Sequence, residues 1–253
     1  RDFCLSRGLG DVYKRQMQRL DKIISSQTSL SRNDVKKLIK KCLIKVNGKI
    51  VDKSNIQVDE LNDIITIGEE QLRYKKYVYL VLNKPKGYVS ATTDEREKTV
   101  IDLCPDEFLN RNLFPVGRLD KDTTGLMIIS DDGDFAHNIL SPKKHVSKKY
   151  YVELSGDLST AMVDDFKNGI KLIDGECKSS TLEIIDKRKC YVTLTEGRYH
   201  QIKRMFGCYG LEVLELKRIK IGNLELPKEL EEGSCRELTQ EELNSITEKE
   251  EIA

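Results

Sequence analysis

Past Ser31 the apolar residues recur at helical spacing. Val35, Leu38 and Ile39 fall on one face of a helix turning about 100° per residue, and Lys36, Lys37, Lys40 and Lys41 fall on the other. Ser31 can cap this helix, with Asp34 three residues on as a shorter version of the capping-box acid. After Cys42 the pattern changes. LIKVNGKIV (Leu43–Val51) predicts two short strands joined by Asn47-Gly48, the signal of a type I′ hairpin. GEEQLRYKK (Gly68–Lys76) is polar and lacks an apolar period, which places a domain boundary there. YVYLVL (Tyr77–Leu82) predicts a strand, ended by Pro85 and Gly87 in NKPKG.

Further strand-like runs follow at 126–130, 150–155, 181–186, 190–195 and 211–222. Ser159 can cap a helix carrying Ala161, Met162, Val163 and Phe166, with Gly169 as its stop. Such an irregular mixture predicts an α+β fold with a mostly antiparallel sheet, not a doubly wound one. From Thr239 the chain is acidic and reads as a frayed helix. Residues 1–16 show no helical or strand period and no apolar signal-peptide core, and they read as a non-native extension. No apolar run is long enough for a membrane span.

The stretch VGRLDKDTTGLMIISDDG (Val116–Gly133) carries the most chemistry. Asp120, Asp122, Thr124, Gly125 and Asp131 fit the frame of a calcium loop. Its context does not. Ile128 stands where a water-holding side chain is needed, and the closing position is Asp rather than Glu. Pro115 and Gly117 preclude an entering helix, and LMIIS leaves as a strand. Two readings remain. One is a corner of solvated acids. The other is a carboxylate held at the core edge beside Arg118, able to act as nucleophile or base. A partner cation can come from EGRYHQIKRMFGCYG (Glu196–Gly210). With Tyr199–Tyr209 on a helix, Ile202, Met205, Phe206 and Tyr209 share one face. His200, Lys203 and Arg204 share the other, as they also would on a plain basic surface helix.

Charge divides unevenly along the chain. From Met17 to Val58, ten Lys and Arg face three acids, a net +7, while the whole chain is +1. That asymmetry suggests a polyanion-binding module joined to a second domain. The seven cysteines are odd in number and form no C-x-x-C pair, and three histidines offer no zinc spacing. Reduced thiols in a cytosolic protein are the simplest reading.

RLDKIISSQTSLSR, LIKKCLIKVNGKIV and SNIQVDELNDIITI together resemble the small RNA-binding domain named after ribosomal protein S-four. Cys42 departs from it, standing where that family often has Gly. NKPKGYVS, PVGRLDKDTTGLMIISDDGDFAHNILSPKKHVSKKYYVEL and EGRYHQIKRMFGCYG resemble the successive motifs of the rRNA pseudouridine synthases. The resemblance implies a small N-terminal α/β RNA-binding domain and a catalytic domain with a mixed, mostly antiparallel sheet flanked by helices. The expected bounds are 17–68 for the first, 69–76 for a linker, 77–245 for the second and 246–253 for an acidic tail.

The same resemblance implies Asp120 as the catalytic carboxylate, Tyr150 packing against the target base, and Lys203 pairing with Asp120. Arg118 would help fill the space of the flipped nucleotide. Arg19, Lys22, Arg32, Lys36, Lys37, Lys40, His200 and Arg204 are the expected RNA contacts. His137 and His145 are left as structural or RNA-facing. No metal or cofactor is implied. The partner would be ribosomal RNA or an assembling ribosomal subunit, met by a cytoplasmic monomer. Overall likeness, including GYVSATTDEREKTVIDL, favours 16S rRNA of the small subunit. The alternatives are a 23S rRNA synthase and a non-catalytic assembly factor.

Overall fold

The computed structural model describes residues 17–60, 62–141, 144 and 146–246. The expectations for residues 1–16, His145 and residues 247–253 lie outside them. The chain divides into two compact units: residues up to Lys76 with Pro105–Asn112, and Tyr77–Cys104 with Leu113 onward.

The first unit opens with β1 (Met17–Arg19), α1 (Leu20–Gln27) and α2 (Arg32–Lys40). It continues with β2 (Ile44–Val46), β3 (Lys49–Ile50), β4 (Gln57–Asp59), β5 (Ile65–Ile67) and β6 (Glu70–Gln71). Four strands form an antiparallel sheet in the order β3-β2-β5-β6, and β1 pairs with β4. Leu20, Ile23, Ile24, Val35, Ile39, Ile44, Val58 and Ile65 make its core.

The cap on α2 forms as expected. Ser31 Oγ accepts from the Asp34 N–H at 3.2 Å and donates to the Asp34 carboxylate at 2.6 Å. At the other end Cys42 takes φ +57°, the left-handed turn that usually closes a helix with Gly. Asn47 and Gly48, both at positive φ, make the hairpin turn. The polar stretch read as a linker differs from expectation. It carries β6, and Leu72 and Tyr74 pack on the core, because an edge strand needs only backbone partners and two apolar anchors.

The second unit comprises β7 (Tyr79–Lys84), β8 (Phe114–Pro115), β9 (Thr124–Ser130), α3 (Gly133–Leu140), β10 (Lys148–Leu154) and α4 (Ala161–Asn168). A small hairpin, β11 (Lys171–Leu172) with β12 (Gly175–Glu176), leads to β13 (Thr181–Asp186) and β14 (Lys189–Leu194). Then come α5 (Gln201–Gly207), β15 (Val213–Ile221), β16 (Leu224–Glu225), β17 (Cys235–Glu237) and α6 (Gln240–Ser245).

The sheet runs β13-β14-β10-β15-β9-β7-β17, with β8 on β9 and β16 on β15. Among the described residues only β9 and β15 pair in parallel in this sheet; the other strand pairs are antiparallel. At that seam Gly125, at φ +98°, faces Arg218, and an added Cβ would stand 2.2 Å from the Arg218 carbonyl oxygen. Two apolar clusters cover the sheet. Phe166, Met205 and Phe206 anchor one. Leu126, Ile128 and Ile139 anchor the other, and Ile246 joins them. Each such fully buried side chain contributes about 1.5–3 kcal/mol.

Four local expectations need correction. β7 continues through Asn83 and Lys84, because both pair with β9 and only Pro85 removes the next donor. Thr160, not Ser159, stands at the cap of α4, although Ser159 Oγ still accepts from the Ala161 N–H. The helix expected over 199–209 spans only Gln201–Gly207, since His200 has a left-handed backbone at φ +47°. The acidic C-terminal helix is capped rather than frayed. Thr239 and Glu242 form a capping box, Arg236 binds Glu242, and Ile246 is buried.

Candidate active site

The segment between β8 and β9 is the GRLDKDT stretch, and its backbone is pinned from below. Ser90 Oγ donates to the Leu119 carbonyl at 2.7 Å and accepts from the Leu119 N–H at 3.0 Å. Lys84 is fully buried at the end of β7. Its ammonium donates to the carbonyls of Pro85, Asp120, Lys121 and Thr123 at 2.8–3.3 Å. Burial pushes Lys84 down to about 8, the Asp122 and Asp120 carboxylates partly offset this, and Arg218 adds to it. A buried cation thus ties together the turn that carries Asp120.

The Asp120 carboxylate faces α5. Lys203 Nζ lies 3.3 Å from Asp120 Oδ2, and His200 Nε2 lies 3.5 Å from Oδ1. Lys203 binds Asp122 more closely, at 2.6 and 2.8 Å. Burial pulls the Asp122 carboxyl up, but its hydrogen bonds and charge attraction to Lys203 together hold it below the ordinary carboxylate range. One ammonium therefore serves two acids two residues apart.

Beside Asp120 opens a cavity of about 660 Å³. Arg118, Tyr150, Lys148 and Arg218 line it together with the Tyr199–His200 corner. β10 and β15 place Tyr150 opposite Arg218 in register. Arg218 is buried, and its Nε donates to the Leu126 carbonyl at 2.7 Å. Lys148 Nζ donates to the Val146 and Ile139 carbonyls, and burial with Arg218 nearby pushes it down to about 8. The volume suits a small polar ligand. Its lining offers the Asp120 and Glu196 carboxylates, several cations and the rings of Tyr150 and Tyr199.

The fold thus brings Asp120, Arg118, Tyr150 and His200 together at one cavity, and Lys203, which does not line it, reaches Asp120. Arg204 is not with them: its guanidinium binds Asp174 and the Tyr199 carbonyl. Arg19, Lys22, Arg32, Lys36, Lys37 and Lys40 belong to the first unit. There Lys22, Arg32, Lys36 and Lys40 are exposed. Arg19 clamps the buried Asp21 at 2.7 and 3.0 Å, and Lys37 binds Asp34 at 2.8 Å. Sequence reasoning missed Lys84, Lys148 and Arg218: Lys84 reads as part of the NKPKG break, Lys148 precedes the strand-like run at 150–155, and Arg218 lies inside the run at 211–222. Among the described residues no three His, Cys, Asp or Glu side chains gather where they could hold a metal ion, and no helix is long and apolar enough to cross a membrane.

Residues 18–65 match the S4 domain, and residues 78–207 match the RNA pseudouridylate synthase family. An uncharacterised RNA pseudouridine synthase of Bacillus subtilis is 39% identical over 91% of this chain and 98% of its own. The ribosomal small subunit pseudouridine synthase A of Escherichia coli is 37% identical over 90% and 99%. A crystal structure of a pseudouridylate synthase matches with a TM-score of 0.64 at 37% identity, covering 90% of this chain and 99% of that one. The family model over residues 78–207, together with relatives aligned over nearly their whole length at 37–39% identity, shows that the chain belongs to the RNA pseudouridylate synthase family.

Proposed function

We propose that this protein converts one uridine of small-subunit 16S rRNA to pseudouridine, with Asp120 as the catalytic carboxylate. The observation that carries the assignment is the Asp120 carboxylate at a cavity wall, with Lys203 at 3.3 Å and His200 at 3.5 Å. The reaction breaks the bond from ribose to uracil N1, turns the ring and joins C5 to the same sugar carbon. The proton lost from C5 balances the one gained at N1, so no redox partner is consumed.

A uridine must leave its stack to enter such a cavity, at a cost of a few kcal/mol. Contacts to phosphates by the basic first unit and packing against Tyr150 offset that cost. Lys203 Nζ, 3.3 Å from Asp120 Oδ2, pairs with the carboxylate that faces the uridine. Arg118, exposed at the cavity wall, helps fill the space of the flipped nucleotide. Small-subunit RNA is favoured because the relative from Escherichia coli, aligned over nearly its whole length, is named for that subunit. We place the protein in the cytoplasm, acting as a monomer on naked or partly assembled subunit RNA.

The test offers purified protein unmodified 16S and 23S rRNA and maps pseudouridine by chemical adduct and primer extension. One new site in 16S rRNA, lost in Asp120→Asn with RNA binding retained, is the expected result. Turnover near wild type in Asp120→Asn overturns the catalytic assignment. A site only in 23S rRNA overturns the substrate.

A further inference from the structure

Tyr199 is 77% exposed at the rim of the cavity. Its inner face is used: the ring stacks on His200 with centroids 3.9 Å apart and planes 16° from parallel. His200 in turn reaches Asp120. The backbone is fixed in this arrangement. His200 sits at φ +47°, ψ +37°, a conformation that costs a non-glycine residue free energy and that clusters at ligand sites. Arg204 braces the same peptide: its Nη1 donates to the Tyr199 carbonyl at 3.1 Å and to Asp174, and its Nη2 also holds Asp174. A large aromatic ring is thus held in place with its outer face left to solvent.

A ring so held has nothing to pack against within the cavity, since its inner face is already filled. What meets its outer face must arrive from outside the pocket. RNA that delivers one uridine into the cavity must carry its neighbouring nucleotides past the rim. An unpaired base presents a flat π-face that stacks on tyrosine without regard to sequence.

We propose that the outer face of Tyr199 is a stacking platform for an unpaired base flanking the uridine that enters the cavity. This rests on the proposed function, and it adds an interaction outside the reacting nucleotide. Stacked in the order base, Tyr199, His200, the platform ends at Asp120. It couples the docking of a flanking base to the placement of the catalytic carboxylate's neighbour. Tyr199 is a substrate-positioning residue in this scheme.

The chain contains no tryptophan, so Tyr199→Trp introduces a single emitter at the platform. In an Asp120→Asn background, 16S rRNA transcript is titrated to saturation while indole emission and its quenching by acrylamide are read. Stacking predicts that emission is quenched and that acrylamide loses access. In parallel, Tyr199→Ala weakens RNA affinity about 5- to 150-fold, while Tyr199→Phe binds as wild type. Saturable RNA binding that leaves both emission and acrylamide access at their free values overturns the platform. So does wild-type affinity in Tyr199→Ala. The function is read separately by mapping pseudouridine in wild-type protein. If no uridine is modified yet the emission is quenched, the function falls and with it the assignment to a base flanking the target uridine, while stacking of an RNA base on Tyr199 stands.

Discussion

Replacing Lys84 with Met tests whether the buried ammonium sets the turn that carries Asp120. Met matches the unbranched length of Lys and brings no charge. Four carbonyls compete for the Lys84 ammonium, which has three protons to donate. At about 1.5–3 kcal/mol for each bond to a charged donor, their loss amounts to about 4–9 kcal/mol. The same substitution removes the cost of burying the charge. That cost is visible in the fall of the lysine from 10.5 to about 8, and at about 1.4 kcal/mol per pH unit it comes to about 3 kcal/mol. The balance is a net destabilisation of about 3 kcal/mol, read as a lower urea midpoint at an unchanged slope.

Turnover should fall further than stability implies. A shift of about 1 Å in the Asp120 backbone is enough to lower the rate about 100-fold. RNA affinity should hold, because the substitution leaves the basic first unit and Tyr199 in place. The pH dependence gives an independent check. Between about 8 and 10.5 the unfolded chain holds the Lys84 proton and the folded chain does not, so wild-type stability rises with pH through that window. Lys84→Met lacks this rise. A Met variant with the wild-type midpoint, the wild-type rate and an unchanged slope between pH 8 and 10.5 would refute the reasoning.

Asp122→Asn should lower kcat about tenfold, equivalent to about 1.4 kcal/mol of barrier, with RNA affinity unchanged. The neutral amide frees Lys203 to close on Asp120 and hold its charge too tightly; a kcat equal to wild type in single-turnover assays refutes the shared-ammonium arrangement. Replacing Lys22, Lys36 and Lys40 with Gln should flatten the dependence of RNA affinity on salt by up to about three units of logarithmic slope, because each lysine that neutralises a phosphate contributes about one. A filter-binding series across ionic strength that gives the wild-type slope removes these lysines from the RNA face.

Parts of this architecture were legible because their causes are local. The α2 face, the Ser31 cap and the Asn47-Gly48 turn depend on residues within a few positions of one another. Other parts depend on partners far along the chain. Asn83 and Lys84 look like the start of a loop. Asn83 stays in the strand because its amide donates to the Leu230 carbonyl, and Lys84 because the turn bearing Asp120 folds over it. At His200 the helical period suggested an unbroken helix from Tyr199. The left-handed kink is set by packing against Asp120 and Tyr199, which no periodicity records. Asp120 and Lys203 were singled out by resemblance; their closeness follows from α5 laying its apolar face, Ile202, Met205 and Phe206, into the core.

The single parallel seam between β9 and β15 also sets an order of events during synthesis. Arg218 donates to the Leu126 carbonyl across 92 positions of sequence, and Asn83 reaches Leu230 across 147. At about 5–20 residues per second, a ribosome needs roughly 5–20 s to travel from Leu126 to Arg218. Throughout that interval the turn bearing Asp120 exists without the strand that walls its cavity. The basic first unit is made before any of it. A nascent chain therefore meets RNA well before it can act on RNA, and chemistry begins only once the last strands have been laid beside the first.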